Sequence, residues 1–67
     1  MRMTINGGKI FDLLDEGDFI AYEVEFEPGE LTAHFYDDDG RTLFIVANQP
    51  LTEDNILTVG WEEYQIS

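Results

Sequence analysis

The chain has 67 residues, with 15 acidic side chains against three basic ones, one histidine and no cysteine. That length accommodates one small domain, residues 1–67, and a chain so short buries only about 60% of its unfolded surface. The lack of cysteine excludes a disulfide framework or a zinc–thiolate staple, and the formal net charge of −12 excludes affinity-driven binding to nucleic acid or to an anionic membrane leaflet.

Taken in chain order, the sequence is punctuated by turn residues of β type. Asn6-Gly7 is the favoured dipeptide of a two-residue hairpin turn and predicts Arg2–Ile5 against Gly8–Phe11, with Ile5 facing Gly8 and Met3 facing Ile10. Asp12 as a helix N-cap, acids after it and a closing Gly17 predict at most one short helical turn over 12–17.

Phe19–Glu27 alternates, with Ile20, Tyr22, Val24 and Phe26 predicted inward and Ala21, Glu23, Glu25 and Glu27 outward. Pro28-Gly29 makes the next turn. With Glu27 facing Glu30, Phe26 meets Leu31, Val24 meets Ala33 and Tyr22 meets Phe35; on the outer face Glu25 meets Thr32, Glu23 meets His34 and Ala21 meets Tyr36.

Asp38-Asp39-Gly40 predicts a three-residue hairpin loop with a glycine bulge. Asp37 then faces Arg41, and Phe35 pairs with Leu43, Ala33 with Ile45 and Leu31 with Ala47. Because Phe44 and Val46 also need cover, Thr42–Ala47 reads as the central strand, roofed on its second side.

A loop follows over 48–55, with Pro50 and a short turn at Thr52–Asn55. The last strand is predicted over Ile56–Gln65, with Leu57, Val59 and Trp61 on one face and Thr58, Gly60, Glu62 and Tyr64 on the other. Gly60 marks a bulge or a close approach. The expected fold is mainly β: a five-stranded antiparallel sheet, curled or partly closed like a small barrel.

The row Glu23, Glu25, Glu27 is the most informative feature. Alternate residues of a strand lie roughly 6–7 Å apart on one face, a spacing comparable to successive phosphates along a DNA strand. The same row also suits an ordinary solvated face. Asp12, Asp15, Glu16, Asp18 and Glu30 add to the acidity. Asp37, Asp38 and Asp39 form a loop tip that could engage arginines; they do not fit a calcium loop, because positions six and twelve counted from Asp37 hold Thr42 and Asn48. His34 reads as an outer-face residue, and Trp61 and Tyr64 as candidate interface residues.

No nucleophile motif or phosphate loop is present, and no residue set suggests a cofactor, so an enzyme is not expected. No apolar run approaches the ~18 residues of a membrane helix, and a cytoplasmic location is expected. The partner expected is a protein with a basic nucleic-acid-binding surface, met by Glu23, Glu25, Glu27, Glu30 and Asp37–Asp39. In size, charge and expected β architecture the chain resembles the small acidic proteins that phages use against restriction enzymes, CRISPR effectors or DNA-repair glycosylases. That resemblance implies an inhibitor that mimics DNA, acting in the host-cell cytoplasm if phage-encoded, and it assigns no residue. The alternative is a small assembly module that self-associates through its sheet edges; a monomer or a small homo-oligomer fits the length.

Overall fold

The computed structural model describes residues 1–15 and 17–66, with Tyr64 and Ile66 described by their backbone alone. Five strands make one antiparallel sheet: β1 (Arg2–Leu13), β2 (Gly17–Phe26), β3 (Thr32–Tyr36), β4 (Thr42–Ala47) and β5 (Trp61–Ile66). Their order in the sheet is their order in the chain, so β1 and β5 are open edges and the sheet does not close into a barrel. The described residues contain no helix.

One face of the sheet carries the core. Phe19, Val24, Phe35, Leu43 and Ile45 are fully buried there, and Leu51, Ile56 and Val59 cover them from the connection between β4 and β5. Each such side chain contributes about 1.5–3 kcal/mol of transfer free energy. Phe35 is the hub of the aromatic packing, with Phe11 and Trp61 edge-on to it at 5.0 and 5.2 Å.

The β3–β4 hairpin has the expected register. Phe35 pairs with Leu43 and Ala33 with Ile45, and the Asp37 N–H closes on the Arg41 carbonyl at 3.2 Å. The Thr52–Asn55 turn also forms, the Asn55 side chain accepting from the Thr52 N–H at 2.8 Å.

Several expectations are corrected. Asn6-Gly7 does not turn the chain back on itself: β1 runs straight through it, and Ile5–Gly8 form a wide bulge between the pairs Thr4–Glu23 and Lys9–Ala21. Gly7 and Gly8 take φ of 83° and 70° there, and Gly8 lies where a Cβ would come within 3.0 Å of the Ala21 carbonyl oxygen. Over 12–17 the expectation of at most one helical turn stands: Asp12 and Leu13 are strand, Leu14 and Asp15 turn, Leu13 lies opposite Gly17, and Glu16 lies outside the described residues.

The β2–β3 register differs by two residues from the expected one, pairing Val24 with Phe35 and Phe26 with Ala33, and Glu25 with His34 in place of Glu23. A slip of two preserves which face each residue occupies, so alternation alone does not detect it. The Pro28-Gly29 turn does form, Glu30 N–H donating to the Glu27 carbonyl at 3.0 Å, but Gly29 and Glu30 also bond to the backbone of Leu51. This outside tie lengthens the connection and leaves Leu31 exposed. Next, β3, not β4, is the central strand. Finally, β5 starts at Trp61; Ile56 and Val59 reach the core from turns, and Leu57 is exposed.

The bulge also changes the phase of β2. Phe19 and Ala21 face the core before it and Val24 and Phe26 after it, so Ile20 and Tyr22, expected inside, are outside. Gly60 is a close approach, as expected: the Asn48 side chain occupies the space a Cβ would need, and the Asn48 N–H donates to the Gly60 carbonyl at 2.9 Å.

Candidate functional site

The outward residues of β2 present the glutamate row on the second strand of the sheet, flanked by β1 and β3. Its members differ in what holds them. Glu23 accepts from Arg2 Nε at 2.6 Å. Glu25 accepts from the Tyr36 hydroxyl at 3.2 Å. Glu27 lies 3.4 Å from the Met1 amino group. Burial first, then the Glu25 charge and hydrogen bond, pushes the Tyr36 phenol above its ordinary pKa.

Glu25, Glu27 and Glu30 come together with Thr32, His34 and Phe26 around an open depression of about 290 Å³. The His34 ring rests on Phe44 at 4.9 Å. The depression therefore has a carboxylate rim beside an imidazole, which suits a cationic side chain.

Asp37 does not stand with the other two residues of its loop. Its carboxylate accepts from the backbone N–H groups of Asp39 and Arg41 at 3.0 and 2.7 Å and from Arg41 Nε at 2.7 Å, and the side chain is only 3% exposed. Burial acts to raise its pKa, but the Arg41 side chain and the two N–H groups outweigh it and hold the carboxyl below the ordinary aspartate value. Asp37 thus builds the turn, and Asp38 and Asp39 are the exposed acids of the tip.

Trp61 is half-buried, edge-on to Phe35 and Phe11. The Tyr64 side chain and Glu16 lie outside the described residues; the Tyr64 backbone pairs with Ile45.

All three lysines and arginines rest on aromatic rings. The Arg2 guanidinium is 4.6 Å from the Tyr36 centroid, the Lys9 ammonium 4.8 Å from Trp61 and the Arg41 guanidinium 5.3 Å from Phe19. Desolvation lowers the Lys9 pKa. Each cation thus serves the fold, and Arg41 also reaches the Asp18 carbonyl at 3.4 Å. The outer faces carry little positive charge to offset their carboxylates.

Sequence reasoning missed the outward Ile20 and Tyr22. The signal was the glycine pair itself, because adjacent glycines inside a strand pattern favour a bulge as well as a turn. No group of three or more His, Asp or Glu among the described residues is arranged to hold a metal ion, and no helix among them is long and apolar enough to cross a membrane. Compared with protein-family models, curated proteins and solved structures, the chain matches none.

Proposed function

We propose that this protein binds and inhibits a nucleic-acid-processing protein, filling a basic cleft as an acidic decoy. The observation that carries this reading is the placement of all three lysines and arginines on aromatic rings, in a chain of net charge −12. Self-repulsion of that size opposes folding, whereas a basic partner relieves it and is attracted over long range. Glu25, Glu27 and Glu30 are the carboxylates that pair with the partner's lysines and arginines, with Asp38 and Asp39 as a second contact. No chemical step is assigned to the protein, and its place of action is wherever the partner handles nucleic acid, the cytoplasm by this reading.

The test is affinity capture after nuclease treatment, at low and moderate salt, followed by an activity assay of the captured protein. A nucleic-acid-processing protein that is retained, inhibited, and released by Glu25→Gln/Glu27→Gln/Glu30→Gln supports the reading. Capture of only salt-sensitive background sinks it.

The open edges favour a second reading, self-association, because β1 offers a twelve-residue edge strand. Mass in solution separates the two: a stable ring or dimer favours assembly, a monomer the inhibitor.

A further inference from the structure

The bulge that turns Ile20 and Tyr22 outward also gathers them. Ile10 lies directly opposite Ile20 across the β1–β2 ribbon, and the two are 64% and 39% exposed. A Cβ built on Gly8 would lie 3.2 Å from Ile20 Cγ2 and 3.8 Å from Tyr22 Cε1, so both side chains overhang the same glycine. Ile10, Ile20 and Tyr22 therefore form one contiguous apolar strip instead of scattered exposed residues, and a contiguous strip marks an interaction surface. Carboxylates lie beyond both ends. Asp12 faces Asp18 on the turn side, and Glu25 follows the Arg2–Glu23 pair on the other.

We propose that this strip is the apolar anchor of the partner interface, and that its occupant is a basic protein surface presenting an aliphatic side chain between arginines or lysines. Charge complementarity selects that occupant. A second copy of the chain laid on the strip would bring acids against acids, which costs affinity, whereas a basic surface meets carboxylates at both ends while its aliphatic residue covers Ile10 and Ile20. The inference rests on the decoy reading and adds to it the centre on which the contact is anchored, a dry apolar patch rimmed by charge.

Two synthetic peptides of equal length and charge test it, one alternating arginine with leucine and one alternating arginine with serine. Each is titrated into the isotopically labelled protein at about 0.15 M salt. The arginine–leucine peptide should bind about tenfold more tightly, as burial of one or two aliphatic side chains gives. Amide shifts should centre on Ile10, Ile20 and Tyr22. Ile10→Ser/Ile20→Ser should abolish the preference and leave arginine–serine binding unchanged, while Leu57→Ser, at another exposed apolar site, should keep the preference. Equal affinities, or a preference that survives Ile10→Ser/Ile20→Ser, would overturn the anchor and leave the decoy reading standing. If neither peptide binds, the decoy reading falls and the anchor with it. A dimer in sedimentation that Ile10→Ser dissolves would give the strip to a second copy and overturn the proposal.

Discussion

The Lys9 ammonium on β1 sits 4.8 Å from the Trp61 ring on β5, so the two edge strands meet through side chains and not through a backbone ladder. The same amine is 5.4 Å from Phe11, and the lysine thereby covers the rings at the open side of the core. Trp61 Nε1 is buried among these groups with no hydrogen-bond partner among the described residues.

Lys9→Ala should uncover the only tryptophan of the chain and shift its fluorescence to longer wavelength, with a stability loss of about 1 kcal/mol. Lys9→Met, which keeps an apolar stem over the rings, should leave the emission near that of the parent. Unchanged emission in the alanine variant would mean that the lysine is not the cover.

The adjacent glycines of the β1 bulge should respond differently to alanine. Gly7 has φ 83° with nothing within 4 Å of a built Cβ, whereas Gly8, at φ 70°, meets the Ala21 carbonyl at 3.0 Å. Gly7→Ala should cost about 1 kcal/mol for the left-handed backbone, and Gly8→Ala about 3 because overpacking is added. Urea unfolding midpoints of the two variants check the order.

At Gly60 the obstacle is one side chain. Gly60→Ala should cost about 1–3 kcal/mol as the Asn48 side chain is displaced. In an Asn48→Gly background most of that cost should vanish, a coupling of about 1 kcal/mol or more in a double-mutant cycle. Additive effects would show that the strain lies elsewhere.

Asp37 should make stability depend on acid. Its carboxyl is held below the ordinary value, so the folded state loses that proton more readily than the unfolded chain does. The resulting stabilisation is complete above the unfolded value of 3.8 and is lost as pH falls through the lower folded value. The stability difference between the parent and Asp37→Asn should therefore be constant near neutrality and shrink toward zero in strong acid. Chemical unfolding of both proteins across pH measures it, and a difference that grows on acidification would contradict the assignment.

The parts of the fold that could be read from the sequence are those whose signals are local. Asp37, Gly40 and Arg41 close a loop with their own atoms, and the β3–β4 register followed from it without error. The β2–β3 register was not legible in the same way, because its connection is held by Leu51, a residue twenty or more positions away in the chain. Asn6-Gly7 carried a true requirement for positive φ at Gly7, but a bulge satisfies that requirement as well as a hairpin does. What decides between them is the partner strand. Phe11 and Leu13 reach the core only if β1 continues past the glycines. The acidic site was legible as a row of residue types. Its division into held members such as Glu23 and Asp37 and pocket-lining ones such as Glu30 depended on where the three cations settled.

The sheet order has a consequence for biogenesis. Because each strand lies beside its predecessor in the chain, every strand leaving the ribosome finds its pairing edge already made, and no early strand waits for a late one. The last of the five strands in chain order, β5, carries Trp61, which packs against Phe11 and Phe35. The aromatic part of the core is thus completed only after four strands have already paired.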